Sequence, residues 1–302
     1  MKKRLKFFIK LFFGIGILVF LFSRTSVQEF VTLLGNANYL FFVFAVVLYV
    51  IGQVISAKKW MIISQRLKFK NTFRRYINLY FLGMFYNMFL PTNIGGDIIK
   101  VTKLKDDNEF SIKRSIISVM SDRITGACVL VLFILFGFFF YNGSGIINIV
   151  NGVIILSSLS GIAFFVYVMK NENLIPEKFK NVYNLIKSLC EKKCIFNITV
   201  LSLIFHLFLI LIHYFIAQMY NFNIPFAYYL LLYPITAIVA FLPLSINGIG
   251  LKEFAYVYML KIFEIGTSEA LLFAMTFNMV ILFASALGFI PYISKDKKTE
   301  QN

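Results

Sequence analysis

The sequence predicts an all-α polytopic membrane protein with about six full spans and two re-entrant broken-helix hairpins. Three observations carry this. Hydrophobic residues make up 59% of the 302 positions and charged residues 15%, and several apolar runs reach the ~18–20 residues that span hydrocarbon. Two runs are interrupted by similar devices: Phe89-Leu90-Pro91-Thr92-Asn93-Ile94-Gly95-Gly96-Asp97 and Phe241-Leu242-Pro243-Leu244-Ser245-Ile246-Asn247-Gly248-Ile249-Gly250. Both read Phe-Leu-Pro with Ile three and Gly five residues after the proline, and the prolines lie 152 residues apart, half of the chain. Finally, the cations can be placed almost entirely on one side of a membrane only if the interrupted runs turn back.

The elements follow in order. Residues 1–23 begin Met-Lys-Lys-Arg and continue into a Phe/Ile/Leu run without a small-residue cleavage site, so they read as a first span. Residues 39–57 form a second. It leads into a basic stretch from Lys58 to Arg75 that should lie on the cytoplasmic interface, with Trp60 as its anchor. The run 76–90 is short for a crossing. If it did cross, Lys100, Lys103, Lys105, Lys113 and Arg114 would lie outside, against the positive-inside bias. A re-entrant hairpin over 76–110, turning at Pro91–Gly96, removes both objections. Irregular backbone at that depth must face protein or a wet cavity.

Residues 115–141 span outwards, 142–148 form an outer turn, and 149–169 return. Residues 170–196 form a cytoplasmic loop with six lysines, and 198–219 span outwards again. The second hairpin occupies 226–263, turning at 243–250, and 270–290 is the last span before a basic tail. In this topology every Lys and Arg except Arg24, Arg123, Lys252 and Lys261 sits in a cytoplasmic segment or a hairpin mouth. Both termini are then cytoplasmic. Three spans separate the hairpins, so one opens inwards and the other outwards, an inverted pseudo-repeat of the kind found in secondary transporters. Eight conventional spans are the alternative. Either way, residues 1–302 read as a single membrane domain, because the longest polar stretches are too short for an independent core.

Charged groups at membrane depth cost several kcal/mol unless paired or hydrated. Asp97, Asp122, Arg123, Lys252 and Glu253, with Lys100 at the first hairpin's mouth, are therefore the candidate substrate-binding residues. As a structural set they would form ion pairs that pin the hairpins. As a functional set Arg123, Lys252 and Lys100 would attract a lipid phosphate, with helix N-termini adding donors. Gly95, Gly96, Gly248 and Gly250 permit tight turns and close helix contact, while Pro91, Pro243, Ser245 and Asn247 complete the broken-helix turns. His206 and His213, seven residues apart, share nearly one helix face and read as packing or interfacial residues before a proton relay. Cys128, Cys190 and Cys194 form neither a disulfide framework nor a zinc set. The sequence lacks GxxxxGK[ST], HExxH, GxSxG and paired CxxC motifs, so no ATPase, zinc-protease or hydrolase site is expected, nor any metal or cofactor. The net charge of +16 follows loop placement and does not point to nucleic acid.

Three stretches carry a family resemblance: Pro91-x-x-x-Gly95-Gly96-Asp97-x-x-Lys100, Ser121-Asp122-Arg123-x-x-Gly126, and Pro243-x-Ser245-x-x-Gly248-x-Gly250-x-Lys252-Glu253. Here the chain resembles the lysylphosphatidylglycerol synthase transmembrane-region family, also called flippase-like domain proteins. Lys100 and Lys252 stand where Arg is common in that family, and Asn247 replaces a glycine. The resemblance implies a lipid-handling protein of the cell membrane like the membrane half of multiple-peptide-resistance proteins, without their soluble aminoacyl-transferase domain.

The expected function is flippase-like translocation of an anionic phospholipid or lipid-linked glycan, which would be downhill, ion-coupled or driven by a partner that consumes the product. A non-transporting subunit scaffolding a glycosyltransferase or lipid-modifying enzyme is one rival. An intramembrane transferase using Asp97 or Glu253 as base is another. Expected partners are membrane lipids, with a glycosyltransferase, an aminoacyl-transferase or a second copy in a homodimer as further candidates.

Overall fold

The computed structural model describes residues 2–90, 95–108, 111–140, 175–242, 244–245 and 248–293, and some positions between 152 and 173. Eleven α-helices and no strands occur among the described residues. In the first half these are α1 (Lys2–Phe22), α2 (Val27–Gly35), α3 (Tyr39–Arg66), α4 (Phe73–Phe89), α5 (Gly95–Asp106) and α6 (Ile112–Phe140). The second half contains α7 (Lys180–Leu189), α8 (Lys192–Met219), α9 (Tyr229–Phe241), α10 (Leu251–Leu260) and α11 (Thr267–Ala286).

Four helical stretches are long and apolar enough to cross a membrane: Tyr39–Arg66, Ile112–Phe138, Lys192–Met219 and Thr267–Ile293. A fifth crossing results if Leu11–Phe22 and Val27–Gly35, bent by 79°, count as one. The expected span at 149–169 and outer turn at 142–148 lie largely outside the described residues. Phe44, Val47, Ile51, Leu132, Phe136 and Phe283 are exposed along the long helices. An apolar surface of that extent is covered by lipid in a membrane protein.

The central pair is α3 and α8, each 28 residues and so about 42 Å long by helical rise. Gly52 of α3 admits the ring of Phe205 of α8. Asn38 caps α3 by accepting from the Leu40 N–H. Two buried clusters flank this pair. One joins α8, α9, α10 and α11 through Ile210, Leu231, Tyr256, Phe273 and Phe277. The other seats the first hairpin on α3 through Trp60, Ile63, Tyr76, Leu79 and Leu104.

Both interrupted segments are helical hairpins. In the first, α4 and α5 pack so closely that a Cβ on Gly96 would run into the carbonyl oxygen of Gly83. Only glycine fits there. The 12 residues of α5 rise about 18 Å, well short of the ~30 Å of hydrocarbon. In the second, α9 and α10 are joined by a turn in which Gly248 (φ 75°) and Gly250 (φ 80°) take the left-handed conformation that glycine tolerates best. Gly250 also abuts the backbone of Gly14, so α1 rests on this turn. Pro91, Pro243 and Asn247 lie outside the described residues.

The structure corrects the expectation at Trp60 and adds two short helices to the connections. Trp60 is not an interfacial anchor: it is fully buried, and its indole N–H donates to Ser118 Oγ at 2.9 Å. Helix α3 simply continues through Lys58 and Lys59, because packing against α6 and the first hairpin takes that face out of contact with lipid. The connection after the first span contains α2, capped by Ser26. The connection 170–196 contains α7, amphipathic enough to bury Tyr183 and Leu189 while exposing its polar face.

Candidate functional site

Five charged side chains gather where the first hairpin meets α3 and α6. Asp97 sits in the first turn of α5, where a carboxylate complements the helix dipole. It accepts two parallel bonds from Arg123 of α6, Nε to Oδ2 at 2.9 Å and Nη2 to Oδ1 at 2.8 Å. Lys100, one turn along α5, places Nζ 3.7 Å from Asp97 Oδ1 and 3.5 Å from the centre of the Tyr80 ring. It is 4% exposed, so it does not stand at an open hairpin mouth as the sequence suggested. The close Gly83–Gly96 contact brings α5 onto α4 and hence Lys100 over Tyr80.

Behind this layer Lys59 of α3, 3% exposed, pairs with Asp122 (Nζ to Oδ1, 3.0 Å) and donates to the Asp122 carbonyl oxygen at 2.9 Å and to Ser202 Oγ of α8 at 3.3 Å. Lys59, Lys100 and Arg123 thus face Asp97 and Asp122, leaving one surplus positive charge. The Asp97–Arg123 pair links the first hairpin to α6, and the Lys59–Asp122 pair links α3 to α6. The Arg123 side chain nevertheless remains 36% exposed, with one edge of its fork committed to Asp97 and the rest accessible.

The second hairpin is wired differently. Glu253 Oε2 accepts from the Gly250 N–H at 2.7 Å, capping α10. Its Oε1 accepts from Asn278 Nδ2 of α11 at 3.0 Å, and Asn278 Oδ1 in turn accepts from Lys252 Nζ. An amide therefore mediates between the two charges. Ser245 is buried beside this turn, and its hydroxyl finds no hydrogen-bond partner among the described residues.

Asp97, Lys100, Asp122 and Arg123 thus come together, whereas Lys252 and Glu253 engage Asn278 and not the first cluster. Lys59, Ser202, Tyr80 and Asn278 were missed from sequence. Lys59 carried a signal, as a cation at the end of a span, but only packing shows that it turns inwards.

The described residues also line two concavities. An apolar groove of about 580 Å³ between α1 and α10 is lined by Phe12, Phe13, Ile17, Phe20, Leu251 and Phe254, next in sequence to Lys252 and Glu253. A basic cleft of about 540 Å³ lies between the end of α3, the start of α6 and α7, lined by Arg66, Lys68, Ser111, Lys113, Arg114 and Asn181 among others.

The comparisons with known proteins agree with the motifs. No curated protein and no solved structure matches the chain. The family described as the lysylphosphatidylglycerol synthase TM region matches residues 7–288, nearly the whole length and including both hairpins and every charged residue of the two sites. The chain is a multi-pass helical membrane protein and belongs to the lysylphosphatidylglycerol synthase TM region family.

Proposed function

We infer that the protein binds the phosphate-bearing head group of an anionic phospholipid or lipid-linked glycan beside Arg123 and moves it between leaflets of the cell membrane, with both termini in the cytoplasm. The observation that supports this reading most is the partly exposed Arg123 guanidinium, held by one carboxylate within a cluster that has one cation in excess. A phosphate matches the guanidinium's donor geometry and neutralises the surplus charge. The basic cleft beside α7 supplies a cytoplasmic approach for such head groups, and the apolar groove between α1 and α10 suits a lipid tail.

The test uses purified protein in phosphatidylcholine/phosphatidylglycerol vesicles carrying fluorescent phosphatidylglycerol, with leaflet exchange read by quenching from outside. Arg123→Ala should slow exchange at least tenfold, and Arg24→Ala, next to the first span, should leave it unchanged. A well-folded Arg123→Ala variant with full activity would remove Arg123 from the site. Absence of exchange with the parent protein would favour the scaffold reading, and a new covalent lipid product the transferase.

A further inference from the structure

The basic cleft beside α7 concentrates charge of one sign. Four cations line it, Arg66 and Lys68 from the end of α3 and Lys113 and Arg114 from the start of α6, and no carboxylate does so among the described residues. Glu191, the N-cap of α8, engages Arg66 and offsets one of them, leaving an excess of three positive charges. A cleft lined by a single sign of charge focuses the field and draws anions into it. Asn181 and Asn184, three apart on α7 and so close to one face, bring neutral amides to the same space. Ile117 and Leu185, half-buried against the cluster that seats the first hairpin, also line it, and apolar surface beside a charge strengthens its interactions.

Lys68 occupies its place at a cost to the backbone. Helix α3 ends in a Schellman turn, in which the Phe69 N–H donates to the Ser64 carbonyl oxygen at 3.1 Å and the Lys68 N–H to that of Gln65 at 2.9 Å. The middle position of such a turn takes a positive φ, and Lys68 has φ 68°. Glycine is the usual occupant because a Cβ is disfavoured there. Leu67 and Phe69 are buried on either side and hold the turn, while Lys68 is exposed on the cleft wall. Packing gives no reason for a lysine here. A cation owed to the cleft does.

We propose that this cleft is a binding site for a diphosphate group, separate from the Arg123 cluster and independent of whether that cluster moves a head group. A terminal diphosphate carries about three negative charges at neutral pH and matches the excess, whereas a single phosphate carries about two at most. The guanidinium groups of Arg66 and Arg114 supply planar N–H donors for phosphate oxygens, Lys68 and Lys113 act as point charges, and the two amides donate to the oxygens that remain. The volume of about 540 Å³ is that of a small-ligand pocket and suits a compact anion better than an extended acidic chain. A soluble nucleotide and a polyprenyl lipid present the same diphosphate oxygens, so either can be its source.

The test is calorimetric titration of inorganic pyrophosphate into the protein held in phosphatidylcholine nanodiscs. Binding should saturate at one site per chain and be about tenfold tighter than that of inorganic phosphate. Lys68→Gly and Lys113→Gln should each weaken it by about fivefold to tenfold, as expected for one partly screened charge-assisted contact. Lys68→Gly should at the same time keep or raise the apparent Tm, because glycine suits the turn better. Lys187→Gln removes a charge from α7 outside the cleft and should bind like the parent. Displacement of pyrophosphate by ADP upholds the site with a soluble source, and displacement by geranylgeranyl diphosphate in the disc upholds it with a bilayer source. Absence of saturable binding, equal affinity for phosphate, or equal weakening by Lys187→Gln overturns the proposal, as does tighter binding of a glutamate-rich peptide than of pyrophosphate. Pyrophosphate binding by protein that exchanges no lipid upholds it and defeats only the translocation reading.

Discussion

Asp97→Asn tests the charge arrangement of the first hairpin most directly. Asp97 has two cationic neighbours, Arg123 at 2.8 Å and Lys100 at 3.7 Å, whereas Arg123 engages one carboxylate. Neutralising Asp97 raises the cluster's excess from one positive charge to two and leaves Lys100, 4% exposed, with the face of Tyr80 as its nearest partner. Removing one member of a fully buried pair costs about 3–5 kcal/mol. Because Arg123 is 36% exposed, water screens part of the loss, and about 2–4 kcal/mol is the reasonable expectation. At about 2–4 °C per kcal/mol for a chain of this size class, the apparent Tm in detergent should fall by roughly 5–15 °C. Arg123→Gln leaves Asp97 with Lys100 and should cost less. The double variant restores the original excess of one and should be more stable than Asp97→Asn alone. The assay is thermal unfolding of all three variants by size-exclusion fluorescence. Unaltered stability of Asp97→Asn, or a double variant destabilised by the sum of the singles, would refute the argument and show that bulk water compensates these charges.

Other consequences are as direct. Gly96→Ala drives a Cβ into the Gly83 carbonyl oxygen, so folded yield should collapse, while Gly16→Ala, which meets nothing, should accumulate like the parent. Trp60 is the sole tryptophan and fully buried. Its emission should be blue-shifted and insensitive to aqueous iodide and to lipids brominated near the head group; quenching by either would place it at the interface after all. Single cysteines replacing Ser111 and Asn181 line one cleft and should react from the same, cytoplasmic side, each shielded by a bulky label on the other. Labelling of Ser111→Cys from outside would favour eight conventional spans.

How much was readable in advance differs between the hairpins and the charges. The broken segments were legible because proline and paired glycines are local signals, and the run 76–90 is short for a crossing. The Asp97, Lys100, Asp122 and Arg123 set was legible because an ionisable group in an apolar run needs an explanation. Its pairing was not. Asp97 could have met Lys100 or Arg123, and the observed fork depends on how α5 crosses α6. Trp60 and Lys59 were misplaced because a basic, aromatic stretch after a span has the same composition whether it meets head groups or a protein interior. His206 and His213 share a face by spacing alone, yet Tyr233 and Tyr256 reach them from 27 and 43 residues away.

The sequence by itself therefore determined what is enforced by solvent and by local backbone: helices, because unpaired peptide groups are intolerable in hydrocarbon, and two interrupted runs, because proline and glycine break them. The tertiary structure alone decided which charge neutralises which, that Lys59 turns inwards, that Glu253 caps α10 and engages Lys252 through Asn278, and that His206 and His213 meet the hydroxyls of Tyr233 and Tyr256. Those choices depend on distances of a few ångströms between helices remote in the chain, where Coulomb and hydrogen-bond energies fall steeply and neither composition nor periodicity carries the information.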